Sequence, residues 1–318
     1  MTDTLLIDTH VHLYRSPAAA AQDKESYTIW EYGDGGRPAY SPSLGSPEEL
    51  VRSMSASGVS RVVVLNLFIA EWETRRFETG LPRDMPAAER TRNIEAFKGQ
   101  LFDALRDFNL WGCRVAKENP AITPFVSVDL NVAGPEESAA LFRELVEDHG
   151  ARGLKLHSAI HRHGMDDERL WPLFRLCRDY DLPVLGHAGL DPDGAGYAEP
   201  KAFARVLEEF PELRLILAHM GGGGWRQTAA LAKRFPNVWL DCAEIIEWSD
   251  ASLAPSQCEL AALIREVGVH RVLMGSDYPW YDLDRTVSRV RELPLLSLEE
   301  KELILGRNAK RLLDGSDA

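Results

Sequence analysis

The chain is poor in cysteine. Cys113, Cys177, Cys242 and Cys258 are its four thiols in 318 residues, and no two stand in a Cys-x-x-Cys spacing. That scatter argues against a zinc knuckle or a disulfide frame and predicts reduced, mostly packed thiols. Excess positive charge is also missing: 36 Lys and Arg against 49 Asp and Glu leave a formal net charge of −13. With no Lys/Arg-rich block anywhere, nucleic acid and anionic membrane surfaces are poor partners. No apolar run approaches membrane-spanning length, and residues 1–12 lack the basic and apolar regions of a signal peptide. The expectation is a soluble cytoplasmic protein. What is present is a hydrophobic fraction of 45%, ample for a sizeable core within one domain spanning residues 1–318.

The apolar runs are short and alternate with helical segments. Strands are expected at 5–12, 61–67, 121–129, 153–157, 182–187, 213–219, 237–241 and 271–277. Helix signals fall between them. Ser46-Pro47-Glu48-Glu49 opens one helix, Pro135-Glu136-Glu137 another, and Gly58 and Gly150 close them. Residues 14–47, rich in Gly, Pro, Ser and Tyr, read as a long loop, and 71–119 as a charged, largely helical insertion. Eight strands in strict alternation with helices predict a closed (β/α)8 TIM barrel with lid-like insertions after strands 1 and 2. An open dinucleotide-binding sheet is disfavoured because no glycine fingerprint follows the first strand.

Polar side chains concentrate at the ends of these strands. His10 and His12 close strand one, two residues apart and therefore on one face. Lys155 and His157 lie on strand four, His187 at the end of strand five, His219 of strand six and Asp277 of strand eight. In a barrel all strand C-termini share one face, so these residues converge from across the sequence.

Those segments resemble a known family. His10-Val-His12, Gly153-Leu-Lys-Leu-His157, Gly186-His187-Ala-Gly189, Ala218-His219-Met-Gly-Gly222 and Gly275-Ser-Asp277-Tyr-Pro279 are similar to the signature segments of the amidohydrolase superfamily. The nearest branch is the amidohydrolase-2 group of aminocarboxymuconate-semialdehyde decarboxylase, and Leu298 to Leu313 is similar to its C-terminal helix. The resemblance implies one divalent metal ion, zinc first and manganese second, held by His10, His12 and His187 with Asp277 as a further ligand or close neighbour. Imidazoles plus a carboxylate suit zinc, and such an ion lowers the pKa of bound water. His219 and Asp277 are then the catalytic proton carriers. Lys155 and His157 are assigned to a second metal or to substrate.

The leading expectation is a metal-dependent hydrolase of a small amide, lactone or ester. The alternative is a non-oxidative decarboxylase of an unsaturated or aromatic acid on the same metal site. Partners reduce to a small-molecule substrate and, at most, a second copy of the chain. Trp30, Trp72, Glu244, Trp248 and Trp280 are candidates to shape the pocket, and Arg15, Arg37, Arg75 and Arg76 to anchor a substrate carboxylate. His161 and His163 read as solvated loop residues. Gly221 to Gly224 precede a helix but lack a P-loop lysine and Ser/Thr, so close backbone packing is expected there.

Overall fold

The computed structural model describes residues 4–33, 41–249 and 254–315. Eight parallel strands form one sheet in the order β1 to β8. They are Ile7–Val11, Arg61–Leu65, Ile122–Ser127, Leu154–Leu156, Val184–Gly186, Leu215–Leu217, Trp239–Asp241 and Val272–Leu273. The sheet curls until its edges meet. Thr9 N donates to Met274 O at 2.9 Å, Asp277 N to His10 O at 2.8 Å and His12 N to Tyr278 O at 2.6 Å. The fold is a (β/α)8 barrel, as the strand count predicts, with strands shorter than their apolar runs because the ends bend into the loops that carry the site.

Alternation along the strands builds two cores. Val62, Val64, Val126, Leu154, Leu156, Val184 and Leu215 face outward onto the helices. Ile7, Val63, Leu65, Phe125, Leu185, Ile216 and Leu273 fill the barrel, which Ala309 and Leu312 plug from below. The interior leaves no slack: a Cβ on Gly153 would meet the Phe125 ring at 2.6 Å. Truncating such a buried aromatic costs about 3–5 kcal/mol.

The helices are α1 (Pro17–Tyr32), α2 (Pro47–Ser57), α3 (Ala70–Gly80), α4 (Ala87–Lys98), α5 (Leu101–Glu118), α6 (Pro135–Glu147) and α7 (Ser158–His161). Then follow α8 (Trp171–Asp179), α9 (Ala204–Glu209), α10 (Thr228–Arg234), α11 (Gln257–Val267), α12 (Leu283–Glu292), α13 (Leu298–Glu302) and α14 (Asn308–Asp314). The signals at α2 act as read: Ser46 accepts from Glu49 N, and Gly58 closes the helix at φ 77°. The expected loop over 14–47 is corrected. Its first half is helix α1, started by Ser16, which accepts from Ala19 N, and by Pro17 in the first turn. α1 was hidden because it shows no apolar stripe; Ala20 and Tyr27 pack it against Tyr14 and Trp280 at the barrel mouth, and Tyr27 and Trp30 against Trp72 of α3. No helix among the described residues is long and apolar enough to cross a membrane.

Candidate active site

The strand ends bring the candidate residues together, and their hydrogen bonds fix which nitrogens are free. His12 Nδ1 donates to Leu65 O at 3.0 Å, and His10 Nδ1 to the Asp241 carboxylate at 3.0 Å. His219 Nδ1 donates to Ala243 O at 3.2 Å. Its Nε2 therefore carries a lone pair, and His187 Nδ1, 3.1 Å away, is the donor between them. A carbonyl can only accept, so the tautomers at His12 and His219 follow from their partners. Each of these rings is left with a bare Nε2, the state a metal ligand needs.

Two of those lone pairs face a carboxylate. His10 Nε2 lies 3.3 Å and His12 Nε2 3.2 Å from Asp277 Oδ1. Three acceptor atoms converge, within 4.8 Å of one another. Such a cluster demands a positive charge at its centre, and a divalent ion fits this donor set. Burial alone would raise the Asp277 carboxyl, but the imidazoles of His10, His12 and His219 outweigh it and hold the group below the usual carboxylate range. A second buried group joins His10, His219 and Asp241. His187 belongs to neither compact group; it lines the same cavity and stacks on His157 with ring centroids 3.8 Å apart. His157 is in turn held by Ile160 N, which donates to its Nδ1 at 3.4 Å.

Lys155 is 1% exposed, and its ammonium approaches His10 Nε2 at 3.5 Å. Burial pulls it down to about 8. The loops after β6, β7 and β8 are bent sharply to aim their side chains: φ is 56° at His219, 47° at Met220, 61° at Glu244 and 61° at Asp277. Left-handed backbone at such residues costs about 1–3 kcal/mol each and persists where the surroundings impose it. Gly222, at φ 50°, sits against Ala188 O, which a Cβ would meet at 3.0 Å. The glycine run is thus close packing.

α1 lies over the mouth and supplies Tyr27, Trp30 and Glu31 to the cavity, which measures about 720 Å³ with its opening. Glu244, Trp248 and Trp280 complete that wall, as expected. Trp72 does not reach it but packs edge-on behind Tyr27 at 4.7 Å. The arginine candidates fall elsewhere. Arg15 pairs with Asp107, Arg75 with Glu71, and Arg76 with Asp23 and Glu73; Arg37 lies outside the described residues. His161 and His163 are not solvated. They are 2% and 4% exposed, their rings stack on one another at 5.7 Å, and His161 Nε2 donates to Phe68 O at 3.0 Å.

Sequence reasoning passed over Asp241, Tyr27 and Glu31. Asp241 was legible by the rule that found the others, since it ends β7. Tyr27 and Glu31 gave no such signal, because their helix was not read as one.

A family model described as amidohydrolase matches residues 7–315. This chain belongs to the amidohydrolase-2 family. It is therefore an enzyme of the amidohydrolase superfamily, and its curated relatives carry decarboxylase names. The chain is 30% identical to the decarboxylase orsB of Emericella nidulans over 172 residues, 45% of this chain and 50% of that protein. It is 24% identical over 232 residues to 2-amino-3-carboxymuconate-6-semialdehyde decarboxylase of Dictyostelium discoideum, covering 63% of each. The chain thus spans from half to under two thirds of these relatives' length. The amidohydrolase barrel is shared with 5-carboxyvanillate decarboxylase of Novosphingobium aromaticivorans, whose structure contains manganese and 3-methoxy-4-hydroxy-5-nitrobenzoic acid. There the TM-score is 0.64 at 16% identity, over 98% of this chain and 97% of that one.

Proposed function

We propose that this amidohydrolase is a metal-dependent, non-oxidative decarboxylase of a small aromatic or unsaturated carboxylic acid. The hydrolytic reading placed first from sequence gives way to the alternative. The observation that carries it is the aromatic wall: Tyr27, Trp30, Trp248 and Trp280 enclose the space beside the His10, His12 and Asp277 cluster. A slot of that lining suits a planar acid and excludes water from a leaving carboxyl group. The decarboxylase names of the curated relatives support the same reading.

His10, His12 and Asp277 would hold one divalent ion, with His187 beside them as the remaining ligand. Two imidazoles and a carboxylate favour zinc, while the manganese of the structural neighbour supports that ion as the second choice. When bound, the ion supplies a positive charge that polarises an oxygen of the acid. Lys155 at the cavity floor faces the substrate carboxylate. His157 holds the His187 ring rather than binding a second metal. As the carbon–carboxyl bond breaks, its electron pair stays on the ring or alkene carbon and carbon dioxide departs. A proton must then reach that carbon. That proton comes from solvent: Asp277 and His219 Nε2, both without a proton at rest, are the groups placed to take it up and pass it to the carbon, and Asp241 and Ala243 hold the His219 backbone and ring in position.

The test is product analysis. Chain loaded with manganese or zinc is supplied with hydroxybenzoic and unsaturated acids, and with lactones, esters and amides. Carbon dioxide released in step with the decarboxylated product is expected. Hydrolysis without carbon dioxide release overturns the reading.

A further inference from the structure

A second hollow adjoins the catalytic cavity. It is a groove lined by α1, α3 and α7, about 1650 Å³ with its opening, against about 720 Å³ for the catalytic cavity. Trp30 and Pro192 line both, so the boundary between the two spaces runs past these residues. The Trp30 ring stands at 83° to His157 with centroids 6.0 Å apart, and it also packs against Trp72 and Ile160, which line the groove. Apolar surface is left open beside this boundary. Among the described residues five large apolar side chains are exposed, and two of them lie here: Ile29 in the groove, at 45%, and Leu190 in the cavity wall, at 48%. Scattered singly such residues need no explanation, but along one continuous hollow they mark a place for a ligand. The groove offers no free cation. Arg75 is paired with Glu71, Arg76 with Asp23 and Glu73, and Arg162 with Asp193.

We infer that the groove is a subsite for an uncharged alkyl chain carried by the substrate acid. The inference rests on the decarboxylase reading and narrows its substrate class to aromatic or unsaturated acids with an apolar tail. The carboxyl end of such an acid lies at the His10, His12 and Asp277 cluster. Its chain leaves the cavity between Trp30 and Pro192 and lies over Ile29, Trp72 and Ile160. There the methylenes and the exposed Ile29 side chain leave water together, so affinity rises with chain length, by about fourfold for each methylene fully buried. An anionic tail would give up its hydration with no counter-charge to receive it, because each arginine of the groove is already held by a carboxylate.

Binding separates this inference from the reaction itself. The full chain, loaded with manganese or zinc, is titrated calorimetrically with 2-hydroxybenzoate and with its 4- and 5-alkyl derivatives carrying methyl, propyl and pentyl chains. In at least one of the two series, affinity is expected to rise by about two- to fourfold per methylene. Ile29→Gln isolates the groove, since Ile29 is exposed and lines the groove but not the cavity. In that variant 2-hydroxybenzoate should bind as it does to the parent, while the pentyl compound loses at least about threefold. Affinity that is flat, falling or undetectable in both series, or a chain-length gain that Ile29→Gln leaves whole, would overturn the inference. Carbon dioxide release is read on the same acids. A chain-length gain with no release from any acid that binds overturns the decarboxylase reading and leaves the groove assigned, whereas release from the short acids with no such gain overturns the groove alone.

Discussion

One carboxylate, Asp241, holds two of the candidate histidines: its Oδ2 accepts from His10 Nδ1 at 3.0 Å, and its Oδ1 accepts from His219 N at 2.8 Å. Ala243 N adds a third donor to the same Oδ1 at 3.1 Å. Three donors converge on one side chain, so an amide cannot replace it; the NH2 would face an N–H. Asp241→Asn is expected to keep the fold by circular dichroism while metal affinity falls about 10–100-fold, the usual effect of losing a carboxylate behind a ligating histidine. Equilibrium dialysis against a metal buffer measures it.

The metal cluster predicts a graded series. His12→Ala removes one of the three converging atoms and Asp277→Asn removes the negative charge from another; each should leave the purified chain depleted of divalent ion by elemental analysis. His187→Ala, whose nitrogens lie outside the compact groups, should lower affinity less. The parent chain is expected to carry one ion, and chelation should abolish turnover and lower the thermal midpoint, with both restored by added manganese or zinc.

Arg76 ties the lid to its support. It pairs with Asp23 of α1 at 2.5 Å and with Glu73 of its own helix, and Asp23 is mostly buried. Arg76→Ala should leave Asp23 without a partner, cost about 1–3 kcal/mol in urea denaturation, and loosen the helix that carries Tyr27, Trp30 and Glu31. KM should rise about 3–10-fold with a smaller change in kcat, because the lid is displaced rather than the chemistry. Arg75→Ala, which breaks an exposed pair with Glu71, is the control and should change stability by less than about 0.5 kcal/mol.

His163 predicts a loss of stability in mild acid. Burial holds its imidazole down to about 4, with the His161 ring acting in the same direction and Asp167 and Asp129 opposing. Neither ring nitrogen has a side-chain hydrogen-bond partner, and the backbone at Gly164 also opposes the shift. The unfolded chain protonates near 6.5 and the folded one only near 4, so between those values the unfolded state binds more protons. Stability contributed by the neutral ring is present above about 6.5 and declines as pH falls toward 4, by about 2–3 kcal/mol in all. In His163→Gln this part of the pH profile should flatten. Denaturation at pH 7 and pH 5, parent against variant, checks the slope.

The barrel and half of the site are local properties of the chain. Short apolar runs alternating with helix signals specify eight strands, and a strand-end rule places His10, His12, Lys155, His187, His219 and Asp277 on one face. That much needs no partner, because a period and a position are read within one segment. The rest depends on contacts between segments. Asp241 meets His10 across 231 residues, and only closure of the β1–β8 seam makes that hydrogen bond. Helix α1 has no apolar stripe of its own and becomes the lid only where Arg76 and the aromatic rings of the mouth receive it. His163, polar and in a loop, is buried beside His161, Asp167 and Asp129, the last brought to it by another segment. Residue spacing chose which groups reach the strand ends. The tertiary structure decided which of their nitrogens are bare, because a tautomer is set by the partner across the barrel and not by the chain around it.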